Sequence, residues 1–543
     1  MENAQKLHVE AISSGKSAGT GSSQFVSYLP AILAIGGAFL MLGLRLQVGT
    51  GFISDGAMMM IALACYILAA LFQLTNLYAP SSMAQKIGLW SAVIGVFFNL
   101  ASWLVRWVNA YDREIAMLRA GGNDETPWVF RYVPFANLYD LSLAFAFGAG
   151  IATLLLARRK SFQVLSAFTL PLAALILVLA RFIGDEFVDL PPVLDSYWRP
   201  IHVGVASLSY GVALVCFAVA VIYLLKDKAK VEAMAIWSSI FGIGVVATVS
   251  KFSVLTEFVY RAGLFVPNPG GGKPFSAPFR LDLPYVGPTL AISALLLVGV
   301  IIAFGIYLNK SSEGAKKAGH MLLKLAFVAQ VIGIVFLVTG VKSTAEVGPR
   351  LQAQLDANPI QYSIAGNAIA ERQNLTAQEL AGITPLQIEQ AGRSYAQTNG
   401  PKMFMSLNTN PVELAALITA AVGTFFVLLF GFRTEKLRER LPSLESLDNL
   451  MYKTACLAFA GLAMLLITGA IWANESWGRP WGFDSKETGA LVAWLTYAAF
   501  LHTRISRGWS GRSSAYFAII GFLLVIFTYL GVSYLLPGLH SYA

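Results

Sequence analysis

Charge is what this chain has least of. Only 13% of its 543 residues are Asp, Glu, Lys or Arg, against 56% hydrophobic, and the mean hydropathy is +0.63. So little polar side chain cannot clothe a soluble globule, which makes an integral membrane protein the expectation. Cysteine is nearly missing too: Cys65, Cys216 and Cys456 each sit inside an apolar run, without CxxC spacing or a polar setting. That excludes a dithiol motif or a cysteine-rich zinc site and leaves three small buried hydrophobes. The formal net charge of +9 would suggest nucleic acid in a soluble protein. Here the Lys and Arg residues gather in short connections between apolar runs, the pattern that orients membrane insertion, and no nucleic-acid partner is expected.

What is present is a series of apolar runs, each about twenty residues long, enough to cross roughly 30 Å of hydrocarbon. Thirteen candidates lie near 27–45, 57–78, 87–108, 137–157, 161–182, 201–225, 236–258, 287–308, 321–341, 411–431, 450–472, 488–504 and 514–536. The expected fold is all-α, a polytopic transmembrane helical bundle. The run at 236–258 is the weakest, because a mid-span Lys251 is expensive in lipid unless it is paired or reaches water, and an interfacial or broken helix is the alternative. If every run crosses, the basic connections 158–160, 226–230, 310–317, 433–440 and 504–512 fall on one side, the cytoplasmic side by positive-inside bias. The N-terminus is then inside and the C-terminus outside. Residues 1–26, Ser/Gly-rich, read as a disordered cytoplasmic tail without a cleavage site, so the first span is retained. Segment 27–229 reads as an N-terminal transmembrane part and 230–444 as an inserted transmembrane region. That region carries an external cap at 343–410 of short amphipathic helices, with Thr376 as an N-cap and Glu379 three residues on. The connection 259–286, with Pro-Asn-Pro-Gly-Gly-Gly, reads as an irregular loop. Segment 445–543 closes the chain.

One connection is unlike the rest. Trp472-Ala-Asn-Glu475-Ser-Trp477-Gly478-Arg479-Pro-Trp481-Gly-Phe483-Asp484-Ser-Lys486-Glu487-Thr488 packs three tryptophans and a phenylalanine into twelve residues, edged by alternating charges. Interfacial aromatic belts are ordinary anchors, but a belt needs neither Gly478 between indoles nor the dense run Asp484, Lys486, Glu487. The surface suits a flat, amphiphilic, dianionic molecule, and haem is one. The histidines are few: His8, His202, His320, His502 and His540. His202 opens the span at 201, and His540 follows the last span on the same external side as the aromatic loop. Two imidazoles flanking an aromatic plate are what axial ligation of a haem iron from both faces requires. A polar cap on a helix end is the alternative for either histidine alone, and spacing does not show that they converge.

The loop, followed by Trp494 and Leu-His502-Thr-Arg, resembles the tryptophan-rich WWD signature of the CcsA (ResC) family of cytochrome c biogenesis proteins, within the haem-handling protein superfamily. Ser196-Tyr-Trp-Arg-Pro-Ile-His202-Val and Gly-Leu-His540-Ser-Tyr-Ala resemble the family segments that bear the external ligand histidines, and Asn137-Leu-Tyr-Asp140 resembles another recurrent element. The likeness covers about 85–225 and 445–543. It implies that His202 and His540 are the axial ligands of a non-covalently held b-type haem, and that His502 is the intramembrane histidine that receives haem near the cytoplasmic side. Trp477, Trp481 and Phe483 would stack on the porphyrin, Gly478 would let the backbone approach, Arg199, Arg479 or Lys486 would pair with propionates, and Asp484 and Glu487 would orient those cations or the loop. Three features depart from the pattern: Phe483 where the family usually has Trp, Ser485 where Pro is common, and the long insertion between the two matching parts.

The implied activity is delivery of haem to the external face of a bacterial inner membrane and its thioether attachment to CxxCH of an apocytochrome c. The chain would act as a cytochrome c synthase subunit with a CcsB (ResB)-like partner, and with a thiol-reducing protein as a further partner besides membrane lipid. His320 lies at the depth of His502 and is either a second inner ligand or an interfacial histidine beside Lys316 and Lys317. A secondary transporter is the rival reading, although transporters place their site near the midplane; a b-type redox protein is another.

Overall fold

A computed structural model describes residues 20–124, 126–187, 192–270, 274–340, 344–372 and 382–532. In chain order the helices are α1 (Thr20–Val48), α2 (Asp55–Tyr78), α3 (Ser82–Ala120), α4 (Leu138–Ala157), α5 (Ser166–Ile183), α6 (Trp198–Lys226), α7 (Val231–Thr248) and the single turn α8 (Ser253–Thr256). Strands β1 (Tyr260–Val266) and β2 (Phe275–Leu283) follow, then α9 (Val286–Lys310), α10 (Glu313–Thr339), α11 (Thr344–Ala357), α12 (Ile360–Arg372), α13 (Pro385–Asn399), α14 (Pro411–Gly431), α15 (Thr434–Arg440), α16 (Leu444–Trp477), α17 (Ser485–Arg507) and α18 (Arg512–Ile526). Among the described residues, twelve helical segments are long and apolar enough to cross a membrane. The remaining expected run, 488–504, lies within α17, a helix of 23 residues, which Lys486, Glu487, His502 and two arginines make too polar to qualify by composition. The chain is an integral membrane protein with an all-α polytopic core.

The chain divides into two compact units, residues 1–177, 189–226 and 440–543 in one and residues 178–188 and 227–439 in the other. In the first, α6 is the hub, packed by α4, α16 and α18. Its residues are apolar nearly all round, as a helix with neighbours on every side must be. Small residues set the closest approach: a Cβ on Gly211 would lie 2.7 Å from the backbone of Ala149 on α4, so a larger residue would force the two helices apart. Helix α3, at 39 residues, is about 58 Å long. It exceeds the hydrocarbon thickness and continues through residues 109–120, read from sequence as loop.

In the second unit α7, α9, α10 and α14 pack as an apolar bundle, and the sequence expectations need one correction. The connection after α8 is an antiparallel hairpin, Tyr260 facing Leu283 and Val266 facing Phe275. Alternate residues of β1 are buried, so one face of the hairpin covers a core that also takes Val347, Leu351 and Leu355 of α11 and Tyr362 and Ala365 of α12. The Pro/Gly-rich run lies between the two strands in sequence. At Lys251 the structure decides for the broken helix. Helix α7 ends at Thr248, and Ser250, Lys251 and Phe252 follow with φ of 54°, 52° and 71°, so an exposed Lys251 marks a break after the helix and does not lie in mid-span. Left-handed conformations of non-glycine residues cost of order 1–2 kcal/mol each. The break is held by buried Glu413, whose carboxylate accepts from Ser250 N at 3.0 Å, Tyr260 OH at 2.9 Å and Asn410 Nδ2 at 2.9 Å.

The segment 343–410 does form short helices. The expected cap at Thr376 and Glu379 lies outside the described residues; the capping boxes observed are Thr384 with Gln387, at the start of α13, and Ser406 with Thr409.

Candidate functional site

The Trp-rich connection joins α16 to α17, and both of its ends are fixed by local chemistry. Helix α16 stops at Gly478, which adopts φ 68° and donates its N–H to Asn474 O; glycine takes that left-handed turn without the Cβ penalty. Helix α17 starts from Asp484, whose carboxylate accepts from Lys486 N at 3.2 Å. Glu487 Oε2 reaches back to accept from Asp484 N at 3.2 Å and from Gly482 N at 2.8 Å. The two carboxylates thus organise the backbone of the turn, and the seven-residue link is pinned at both ends.

Beneath the turn lies a cavity. It holds and borders about 1240 Å³ of space, part of it open to solvent, and its walls include His202, Trp472, Trp477, Trp481, Arg199 and Lys486. His202 projects from the first turn of α6. Its Nδ1–H donates to the carbonyl of Leu465 on α16 at 3.0 Å, which fixes the tautomer and makes Nε2 the basic nitrogen of the neutral ring. Space for the ring comes from Gly469, one turn along α16, where a Cβ would lie 2.8 Å from His202 Cε1. The imidazole also leans on Trp472, ring centres 5.7 Å apart. Trp472 is 8% exposed and its indole N–H has no partner, an orphaned donor in the cavity wall of the kind a polar ligand satisfies.

Two cations border the same space. Buried Arg199 donates from Nη2 to Arg131 O at 2.5 Å. Lys486 lies in the first turn of α17, ahead of the apolar stretch 488–504, and burial pushes its ammonium down to about 8 while Asp484 acts in the opposite direction. The base is closed by Tyr210, Thr528 and Tyr529. The last two belong to a π-helical turn, residues 527–531, that ends α18, and Tyr529 OH is 2.6 Å from Ser142 Oγ. Ser196 Oγ bonds Glu475 and so ties the segment before α6 to the end of α16.

Of the residues singled out from sequence, His202, Trp477 and Trp481 meet at the cavity. Phe483 does not line it: at φ 54° it turns outward, 79% exposed, its ring edge-on to Trp481 at 6.0 Å. Gly478 and Asp484 shape the turn without lining the cavity. His502 is on the exposed face of α17, about 22 Å along the axis from Glu487. His540 and His8 lie outside the described residues. In the second unit His320 Nε2 is 3.4 Å from Glu232 Oε1, and Lys316 Nζ is 3.7 Å from the same oxygen, so this histidine has a carboxylate partner of its own. Sequence reasoning passed over Leu465, which contributes its backbone carbonyl, and Gly469, Tyr210 and Tyr529, which look like ordinary span residues.

A family model described as cytochrome C assembly protein matches residues 135–345 and 398–540. Among curated proteins, the cytochrome c biogenesis protein CcsA of Prochlorococcus marinus (strain MIT 9515) is 57% identical over 98 residues, 18% of this chain and 31% of that protein. The CcsA of Prochlorococcus marinus (strain MIT 9303) is 44% identical over 137 residues, 25% of this chain and 41% of that one. The CcsA of Pyropia yezoensis is 52% identical over 103 residues, 19% and 32% of the two chains. The chain thus spans about a third to two fifths of the length of these relatives. Among solved structures, the cytochrome c heme lyase CcmF is similar at 14% identity and a TM-score of 0.28, over 89% of this chain and 77% of that one. With the family match extending over more than half of its residues, including every described wall of the cavity, the chain belongs to the cytochrome c assembly protein family.

Proposed function

We propose that the first unit holds a b-type haem non-covalently in its cavity and presents it for covalent attachment to the CxxCH motif of an apocytochrome c. The observation that carries this reading is His202: a histidine with Nδ1 bonded to a helix carbonyl and with its ring in a glycine-made gap, in an aromatic cavity of a cytochrome c assembly family member. The residues fit the group. His202, through Nε2, and His540 would hold the iron. Trp477 and Trp481 supply flat apolar contact, and the orphaned Trp472 N–H supplies a donor. Arg199 and Lys486 receive the propionates, and Phe483 contributes an exposed edge beside Trp481. Gly478, Asp484 and Glu487 hold the turn that carries the indoles.

When bound, haem supplies two vinyl groups, across each of which one cysteine S–H of the acceptor adds to give a thioether without net oxidation or reduction. The protein's contribution is geometric: to bind, orient and exclude water. In the same reading His502 receives haem within the membrane, on the cytoplasmic side of the bacterial inner membrane, and the Trp-rich loop faces the periplasm. A CcsB/ResB-like subunit and a thiol-reducing protein complete the system. The test is co-expression of the full chain and such a partner with an apocytochrome c in a host lacking its own maturation system. Haem-stained holocytochrome with the native chain and none with His202→Ala supports the proposal; equal holocytochrome from both refutes it.

A further inference from the structure

Residues 20–134 precede the first segment matched by the family model, yet their charged side chains reach the cavity wall. We infer that Arg106 is a positioning residue for the cofactor cavity, fixing through Asp140 the wall formed by residues 135–138, and that the outer part of α3 braces that wall. The inference rests on the haem-binding reading.

Arg106 is fully buried. It bonds Asp55 of α2 through Nη1 at 3.0 Å and Asp140 of α4 through Nε, with its guanidinium 4.6 Å from the centre of the Tyr139 ring. Asp140 divides its carboxylate: one oxygen takes Arg106, and the other accepts from Ala136 N at 2.9 Å. Asn137 Oδ1 in turn accepts from Asp140 N at 2.9 Å. Phe135, Ala136, Asn137 and Leu138 all line the cavity. Behind Arg106 the chain continues from Asp55 Oδ1 to Asn109 Nδ2 at 3.0 Å, from Asn109 Oδ1 to Arg45 at 2.9 Å, and from Arg45 to Asp112 at 2.6 Å. Helices α1, α2 and α3 are thereby wired to one cavity wall.

The same side of α3 grips that segment twice more. Trp103 packs on Phe135 with ring centres 5.3 Å apart, and Trp107 Nε1 donates to Val129 O at 2.8 Å. Phe135 in turn approaches Gly204, two residues past His202. Apolar side chains would hold three helices together at least as well as buried charges, whose desolvation offsets their attraction. What the forked guanidinium adds is direction. A wall that faces a rigid planar ligand needs direction more than adhesion.

The test uses the full-length protein in detergent, read by amide hydrogen exchange without haem and by haem titration. The triple variant Asp55→Asn/Arg106→Met/Asp140→Asn removes the charges together and leaves no ion unpaired. Trp107→Phe removes a single donor and decides the matter if the triple variant fails to fold. The expected results are faster exchange at residues 133–138, unchanged exchange in the interior of α6, and haem affinity lower by about tenfold or more, with a shifted Soret band. The loss in Trp107→Phe is smaller and in the same direction. Native exchange at 133–138 in a folded variant overturns the inference. Failure of the native protein to bind haem sinks the functional reading instead, and the exchange result still decides the role of Arg106.

Discussion

The ring of His202 occupies space that exists because residue 469 is glycine: a Cβ there would stand 2.8 Å from Cε1 and 3.1 Å from Nδ1 of the imidazole. Gly469→Ala therefore has to turn the ring, and turning it breaks the bond from Nδ1 to Leu465 O. The expected outcome is haem affinity reduced about tenfold or more with an altered Soret band. Helix α16 itself is strengthened, because alanine exceeds glycine in helix propensity by roughly 1 kcal/mol. Weaker haem binding by a folded protein is the signature; native spectra in Gly469→Ala contradict it.

Lys486 gives the site a pH dependence. Burial lowers its ammonium to about 8, against about 10.4 for a free lysine, so the side chain is a cation at neutral pH and loses its charge above 8. An anion binding beside it favours the charged form and takes up a proton, so affinity for haem falls as pH rises through 8. The folding sign is opposite: the unfolded chain holds this proton up to about 10.4, so Lys486 opposes folding below pH 8 and that opposition fades between 8 and 10.4. Titration at pH 7 and 9 is expected to show a several-fold drop in affinity with the native chain. Lys486→Met is expected to be weaker at pH 7 and flat across the range.

Asp484 acts through the turn. Asp484→Ala removes the cap of α17 at a cost of about 1 kcal/mol, and Asp484→Asn retains most of it. Amide exchange at residues 482–488 is the readout, faster in the alanine variant and near native in the asparagine variant. Equal acceleration in both would show that charge matters there more than capping.

In the second unit, Glu413→Ala leaves Ser250 N, Tyr260 OH and Asn410 Nδ2 without the carboxylate that accepts from them. At roughly 1–3 kcal/mol per buried polar group, the expected loss is about 3 kcal/mol or more. A drop in thermal stability that exceeds that of Glu413→Gln checks it.

The helices were legible because lipid imposes length and hydropathy together: the runs at 57–78 and 137–157 nearly coincide with α2 and α4. What failed was local. The hairpin at 260–283 hid behind the Pro/Gly-rich run between its strands, and at Lys251 the charge left a broken helix only as an alternative, because three left-handed residues leave no mark in composition. The Trp-rich loop and His202 stood out because tryptophan and histidine are scarce and were out of place. Their supports did not stand out: Leu465 contributes a backbone carbonyl that any residue carries, and Gly469 contributes an absence. Arg106 was within reach, since an arginine inside the run at 87–108 is as costly as Lys251 and signals partners; the partners, Asp55 and Asp140, come from two other helices and only the fold assembles them.

The most direct test of the central claim is the low-temperature electron paramagnetic resonance spectrum of the oxidised, haem-loaded, full-length protein, native and with His202→Ala or His540→Ala. The account predicts a low-spin signal of bis-histidine ligation in the native protein, replaced by a high-spin signal in each variant. A native-like low-spin spectrum that persists in His202→Ala would contradict it.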